Sequence, residues 1–296
     1  MKMKNVNKKV KNLVLIAREA DLKKVAVPFY DILPSWCFPK HNLRFKAYCV
    51  GMARTGTTSI HTIFSRQYRS AHESEERFVV YKLLASANGK IDKSKLIKYV
   101  KHRDRRLGLE MDSSHLNGDL VDILVSEFSQ AKFILTIRNC YSWVDSFLDL
   151  SLGGHPPLPS RRNTFRGHLP KLYDLRFKAN QFKYAKEEKI LADKGLYTLD
   201  GYFSYWNEYN NKILTIVPKE RLLVVKTREI NHSIHRIENF LGIKLGSLSI
   251  NIHENLRRRK FHILSQIDKD FLEEKANLHC QKLMDKYFPE VKGFDL

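Results

Sequence analysis

Residues 51–58 (GMARTGTT) have the composition and spacing of a phosphate-binding loop. Gly51 and Gly56 lie five positions apart, and the hydroxyl residue Thr58 follows two positions after the second glycine. In such a loop the backbone N–H groups converge at a helix N-terminus, where the helix dipole favours an anion. Thr55 to Thr58 would provide these amides, and Thr57, Thr58 and Ser59 add hydroxyl donors. The segment therefore predicts a phosphate-binding site.

One position of this loop departs from the nucleotide kinases. Thr57 stands where a kinase loop has the lysine that contacts the β- and γ-phosphates. Arg54, three positions earlier, places a positive charge inside the loop instead. The difference argues against ATP-driven phosphoryl transfer and favours a ligand whose single 5′-phosphate carries another group. A P-loop kinase of a small metabolite stays as an alternative, which would require Mg²⁺-dependent ATP hydrolysis.

A second motif, an arginine and a serine that follow a predicted strand, lies further along the chain. The apolar run Lys132 to Ile137 (KFILTI) predicts a buried strand, and Arg138 follows it directly. Ser146 stands eight residues after the arginine, on a segment with a helical pattern. A guanidinium can hold a phosphate with two parallel hydrogen bonds, and a serine about two helical turns later can donate from the side that faces it.

The two motifs, in this order, resemble the PAPS-dependent sulfotransferase superfamily, and the loop is closest to its bacterial and Golgi-type branch. The resemblance extends from about Phe45 to Arg259. It implies 3′-phosphoadenosine 5′-phosphosulfate (PAPS) as the donor, no metal, and an acceptor hydroxyl on a carbohydrate, a lipid-linked sugar or a small natural product. The residues that it assigns to the donor are Arg54, Thr55, Gly56, Thr57, Thr58 and Ser59 for the 5′-phosphosulfate, and Arg138 and Ser146 for the 3′-phosphate.

The family also covers the 3′-phosphate with a basic loop near the C-terminus. Arg257 and Arg258, in the run Arg257 to Arg259, are the candidates here, although this chain lacks the Arg-Lys-Gly sequence of the phenol-sulfating branch. Sulfuryl transfer needs a general base for the acceptor proton. In the branch that this sequence resembles, a glutamate follows the loop by one helix and a short turn, which implies Glu73 as the base. His72 is the alternative, and Arg54 would stabilise charge on the leaving phosphate.

Three further polar residues, Glu110, Asp112 and His115, follow an apolar position in the segment Leu109 to His115. Their setting suggests a strand that runs into a loop, so we expect them at the carboxyl edge of the sheet, where open α/β sheets bind ligands. There they would contact the acceptor, and His115 is a third candidate for the base.

Strands alternate with helices along the chain, which predicts a single α/β domain with a central, mostly parallel sheet flanked by helices. The predicted strands are Phe45 to Val50, Lys132 to Ile137 and Arg221 to Lys226. Residues 45–296 would form this domain, and residues 1–44 a basic N-terminal arm with a helical segment. The Gly- and Pro-rich segment Ser151 to Arg166 indicates a long loop that helps to shape the acceptor site.

The formal net charge of +20 indicates attraction to polyanions and leaves a basic nucleic-acid-binding protein as a second alternative. Such a protein would interleave aromatic and basic residues on one face, and no repeated pattern of this kind is present, so we expect no nucleic-acid partner. No apolar stretch reaches the roughly 20 residues of a membrane span, and the N-terminus lacks the apolar core of an export signal. We therefore expect a cytoplasmic protein, with peripheral membrane contact through the basic N-terminus as a further option.

Overall fold

A five-stranded β-sheet forms the centre of the fold. The computed structural model describes residue 38 and residues 40–153, 168–249 and 260–295, so most of the expected N-terminal arm lies outside the described residues. The strand order is β2-β3-β1-β4-β5, and all four pairings are parallel. The strands are β1 (Ala47–Cys49), β2 (Ser70–His72), β3 (Met111–Ser113), β4 (Lys132–Ile137) and β5 (Leu222–Lys226).

Helices connect the strands and cover both faces of the sheet. Within the described ranges they are α1 (Thr57–Ser65), α2 (Glu76–Ala87), α3 (Lys93–Leu107), α4 (Val121–Glu127), α5 (Cys140–Leu152), α6 (His168–Arg176), α7 (Lys189–Asp193), α8 (Leu199–Ile216), α9 (Ile234–Leu241) and α10 (Lys269–Tyr287). This architecture confirms the predicted α/β class and the parallel sheet. None of these helices is both long enough and apolar enough to cross a bilayer.

The sheet separates two hydrophobic clusters, because successive side chains of a strand point to opposite faces. On strand β1, Tyr48 belongs to the larger cluster, together with aromatic residues of α5 and α8. Its neighbours Ala47 and Cys49 belong to the smaller cluster, which contains the apolar faces of α1 and α9. The site-forming helices α1 and α5 are therefore anchored on opposite faces of the same sheet.

Three of the five strands coincide with the apolar runs of the sequence. The segments around Phe45 to Val50, Lys132 to Ile137 and Arg221 to Lys226 contain β1, β4 and β5, respectively. Strand β2 was not predicted, because its three residues (SAH) are polar or small and only half-buried. Strand β3 was expected only as a strand-to-loop setting; it is also three residues long, and both strands depend on their pairing with neighbours.

Candidate functional site

The glycine-bounded loop lies between strand β1 and helix α1, at the carboxyl edge of the sheet. Gly51 has no room for a side chain, since a Cβ atom there would lie 1.8 Å from Oγ1 of Thr136 on β4. Gly56 has a φ of 102° and directly precedes α1. A Cβ atom at this position would lie 2.5 Å from Cδ1 of Ile230. Both glycines are therefore required for the path of the loop.

The loop leaves the N-terminus of α1 open. The N-cap residue is Gly56, which has no side chain, so the amides of the first turn lack the usual acceptor from the N-cap position. Arg54, a non-glycine residue, has a φ of 70°, a backbone conformation that is often found at ligand sites. The Thr55 hydroxyl is buried and donates to the carbonyl of Met52 at 2.8 Å. Thr55 thus shapes the loop with its side chain.

The arginines of the two sequence motifs lie side by side. Nε of Arg54 donates to Oγ of Ser146 at 3.0 Å, which joins the loop to helix α5. Nη1 of Arg138 lies 3.5 Å from the carbonyl oxygen of Arg54. Nε of Arg138 donates to Oγ of Ser142, also at 3.0 Å. Ser142, one helical turn before Ser146, was missed by sequence reasoning, although its spacing of four from Arg138 was a usable signal.

The positive charges of this region repel one another. Burial lowers the pKa of Arg138, and the neighbouring charges of Arg54 and Arg228 lower it further, to about 10. Arg228 follows strand β5 and was not predicted as a site residue, although it stands at the carboxyl end of an apolar run. A bound polyanion would stabilise the charged form of Arg138, because it would offset the repulsion from the two other arginines.

Aromatic side chains of the core hold the strand ends that carry the site. The indole N–H of Trp143 donates to the Ala53 carbonyl and that of Trp206 to the Arg138 carbonyl, both at 2.9 Å. The Tyr209 hydroxyl lies 3.1 Å from the Val50 carbonyl and 3.0 Å from the His115 carbonyl. These contacts fix the loop and the ends of β3 and β4 relative to helices α5 and α8.

The predicted bases lie on the other side of the loop, at the ends of β2 and β3. Oε1 of Glu73 lies 2.8 Å from Nδ1 of His115 and 3.7 Å from Nε2 of His72. The His115 ring stacks on Tyr173 of α6, with the centroids 6.4 Å apart. Nε2 of His115 is buried and has no hydrogen-bond partner among the described residues. The structure therefore brings all three base candidates together.

His72 is held by the helix that carries the loop. Its Nε2 lies 3.1 Å from Oγ1 of Thr57 and 3.3 Å from Oγ1 of Thr58. Burial lowers the pKa of His72; nearby His115 and His61 act in the same direction, whereas Glu73 opposes them. The ring is thus favoured in its neutral form and can accept from a threonine hydroxyl. This position suits a residue that orders the loop and Glu73.

Two of the expected acceptor contacts lie elsewhere. Glu110 precedes β3, at the amino edge of the sheet, where its carboxylate accepts from the Arg44 side chain and the Arg69 amide. Asp112 lies within β3 and forms a buried ion pair with Arg103. The expectation that both residues stand at the carboxyl edge is wrong, because β3 begins after Glu110 and ends after Asp112. Of the three residues, only His115 lies at the edge that carries the loop.

Glu73, Glu76 and His115 offer ligand atoms that all lie within 4.8 Å of one another, a spacing that a metal ion could bridge. The Nδ1 atom of His115 already contacts the Glu73 carboxylate, so the same geometry serves an acid–base pair.

Two further predicted features lie outside the described residues. They are Arg257 and Arg258, the candidates for the 3′-phosphate cover, and most of the segment Ser151 to Arg166.

This chain is similar to known sulfotransferase domains. A family model described as a sulfotransferase domain matches residues 46–248, which is more than half of the chain. No curated protein matches the chain. Among solved structures, the sulfotransferase domain of the olefin synthase from Synechococcus PCC 7002 is similar at 14% identity, with a TM-score of 0.40. The alignment covers 87% of this chain and 98% of that domain.

Proposed function

Since this chain belongs to the sulfotransferase domain family, we propose that it transfers a sulfuryl group from PAPS to a hydroxyl acceptor, with Arg54 and Arg138 as its principal donor-binding side chains. The observation that carries this proposal is that Arg54 and Arg138 lie together at the loop before the N-terminus of α1, with Arg228 near enough for its charge to lower the pKa of Arg138. Two neighbouring guanidinium groups and a helix N-terminus suit a ligand that has two phosphate groups.

The residues present fit such a donor. PAPS supplies an activated sulfuryl group on its 5′-phosphate, and its 3′-phosphate offers a second anionic contact. The first-turn amides of α1 and the Arg54 guanidinium would hold the 5′-phosphate and stabilise the charge that develops on it. Arg138, with Ser142 and Ser146 on α5, would hold the 3′-phosphate. Breaking the Arg54–Ser146 hydrogen bond would release both groups for the ligand.

Glu73 is the residue that we propose as the general base. Its side chain is partly exposed, at 28%, whereas His115 beside it is buried. The carboxylate can therefore reach an acceptor hydroxyl while Nδ1 of His115 fixes its orientation. Glu73 would take the acceptor proton as the acceptor oxygen bonds to sulfur, and the electron pair of the broken bond would stay on the 5′-phosphate. His72 and His115 remain the alternatives for this role.

A thermal-shift experiment tests the donor assignment. Adenosine 3′,5′-bisphosphate, the product that retains both phosphates, should raise the melting temperature of the wild-type protein. Arg138→Ala should abolish this shift, because it removes the guanidinium of the second phosphate site. Arg66→Ala, an exposed arginine at the far end of α1, should keep it. The absence of a shift with the wild-type protein would refute the donor assignment.

The acceptor that we propose is a hydroxyl of a small molecule or a carbohydrate. A screen of small-molecule, lipid-linked and carbohydrate hydroxyls with labelled PAPS would identify it. The kinase alternative needs a lysine at position 57 and has no support from the family match. The nucleic-acid alternative rests on net charge alone, and the arginines at the loop explain part of that charge.

A further inference from the structure

Two carboxylates lie close to the proposed 3′-phosphate site. Asp145 and Asp149 occupy successive turns of helix α5, on either side of Ser146, and their side chains are only 6% and 3% exposed. Both act on Arg138, since their negative charges raise its pKa against the effects of burial and of the other arginines. Charges that attract Arg138 must also repel a phosphate bound to it, and burial weakens the screening by water.

Lys260 neutralises part of this negative charge. Nζ of Lys260 lies 2.7 Å from Oδ2 of Asp145 and 3.3 Å from Oδ2 of Asp149. The backbone amide of Phe261 donates to Oδ1 of Asp149 at 2.9 Å. Lys260 therefore bridges two turns of α5 at the level of Ser146 and holds the chain against the helix. Lys260 ends the basic cluster Arg257 to Lys260 of the sequence, but none of Lys260, Asp145 and Asp149 was predicted as a site residue.

We propose that Lys260 is a positioning residue for the donor site, because its ammonium group offsets Asp145 and Asp149 and so keeps the surroundings of Arg138 attractive to a 3′-phosphate. The inference rests on the proposed function, since it assigns Arg138 to that phosphate. Without the ammonium group, two buried carboxylates would lie within electrostatic reach of the bound nucleotide. The arginine would then be drawn towards helix α5, and the affinity for the second phosphate would fall.

Binding measurements separate this electrostatic role from a merely structural one. The dissociation constant would be measured by titration calorimetry for adenosine 3′,5′-bisphosphate, and for adenosine 5′-phosphosulfate, which lacks the 3′-phosphate. Lys260→Met should weaken binding of the bisphosphate at least ~10-fold and affect the second ligand much less, because the repulsion acts on the 3′-phosphate. Lys260→Arg, which keeps the charge, should bind the bisphosphate within ~3-fold of the wild type.

Removal of the carboxylates provides the decisive comparison. In Lys260→Met, the added changes Asp145→Asn and Asp149→Asn should restore bisphosphate binding, because amides keep the shape but not the charge. Asp145→Asn alone, with Lys260 intact, should tighten binding of the bisphosphate. This variant tests the inference even if Lys260→Met does not fold.

The matched control is Lys101→Met, which should bind the bisphosphate as the wild type does. Lys101 forms a 2.7 Å ion pair with Glu127, which precedes the amino end of β4, at the opposite edge of the sheet.

Each outcome has a defined meaning. Wild-type affinity in Lys260→Met, or a triple variant as weak as Lys260→Met, would overturn the inference while the donor assignment stands. A general loss of affinity for both ligands would also overturn it, since that result indicates a structural anchor. If the wild-type protein did not bind the bisphosphate, the proposed function itself would fail, and this inference with it.

Discussion

At the scale of single residues, the loop at residues 51–58 separates the candidate site residues into two groups. Arg138, with Ser142 and Ser146, lies on the side of strand β4, whereas His72 and Glu73 lie on the side of β2 and β3. Positive charge for the donor is thus separated from the carboxylate that would accept a proton. The separation matters, because Glu73 next to the phosphates would add to the repulsion from Asp145 and Asp149, and an arginine paired to Glu73 would weaken it as a base.

The assignment of Glu73 leads to a prediction about turnover. Glu73→Gln should lower kcat at least ~100-fold, because the amide cannot accept the acceptor proton, and should leave the affinity for adenosine 3′,5′-bisphosphate unchanged. Glu76→Gln, which removes a neighbouring carboxylate of the same cluster, should retain kcat within a few-fold. Steady-state kinetics with an identified acceptor and calorimetry for the bisphosphate give both values. Retained turnover in Glu73→Gln would move the role to His72 or His115.

At the scale of elements, the parallel sheet explains why the site residues meet. All five strands point in the same direction, so residues that follow β1, β2, β3, β4 and β5 gather at one edge. The loop follows β1, the central strand, and therefore lies between the two groups. This is the edge at which open α/β sheets bind ligands. Helix α8 behind it supplies Trp206 and Tyr209, which hydrogen-bond to the strand ends.

The junction between loop and helix gives a prediction about Gly56. Gly56→Ala should lower the free energy of unfolding by about 1–3 kcal/mol, because φ is positive and the new Cβ would meet Ile230. It should also weaken bisphosphate binding, since the amides of α1 would move. Gly89→Ala is the matched control, for its φ of 67° is also positive but nothing lies within 4 Å of the added atom. Urea denaturation and calorimetry would test both variants.

The control variant defines what would contradict this explanation. Gly89→Ala should carry only the cost of the backbone conformation and leave bisphosphate binding unchanged. Equal losses of stability with unchanged binding in both variants would show that the close approach of Ile230 to the loop has no effect on the site.

At the scale of the whole molecule, the two edges of the sheet carry different kinds of charge pairing. At the amino edge, Glu110 joins the segments before β1, β2 and β3 through Arg44 and Arg69. At the carboxyl edge, Arg54 lies next to Arg138, and burial together with the charges of Arg54 and Arg228 lowers the pKa of Arg138. The arginines of the site therefore contribute to the net charge of +20. The ion pairs at the amino edge instead stabilise the fold.

Glu110 makes the stability of the molecule depend on pH. Burial alone would raise the pKa of Glu110, but hydrogen bonds from the Arg44 side chain and from the amides of Arg69 and Arg44 outweigh burial and hold the pKa at about 2. Because the pKa is lower in the folded state, the stabilisation is fully present above about pH 4.5 and is lost as the pH falls towards 2.

Glu110→Gln should therefore lower the free energy of unfolding at pH 7 by about 1.5–3 kcal/mol, and should flatten its decline between pH 4.5 and 2. Urea denaturation across this pH range measures both effects. Glu274→Gln, an exposed glutamate on α10, should leave the curve of the wild-type protein unchanged. A variant at position 110 that is as stable as the wild type at pH 7 would contradict the structural role of this carboxylate.

Much of the site was predictable because it depends on local patterns. An apolar run between polar segments determines a buried strand such as β4, and the residue after it, Arg138, then stands at the sheet edge. The loop is likewise specified by two glycines with fixed spacing, since only glycine tolerates the close approach at 51 and the φ at 56. In both cases the information lies within fewer than ten consecutive residues, so the sequence by itself determined the class of fold and the position of the loop.

Other features were decided only by the tertiary structure, since they depend on contacts between distant residues. The Glu73–His115 pair joins residues 42 positions apart, and the bridge from Lys260 to Asp145 joins residues 115 positions apart. Strands β2 and β3 are too short and too polar to be stable without their neighbours, so the true place of Glu110 depended on where β3 begins. Packing and long-range electrostatics, which no local pattern records, decided which charges meet.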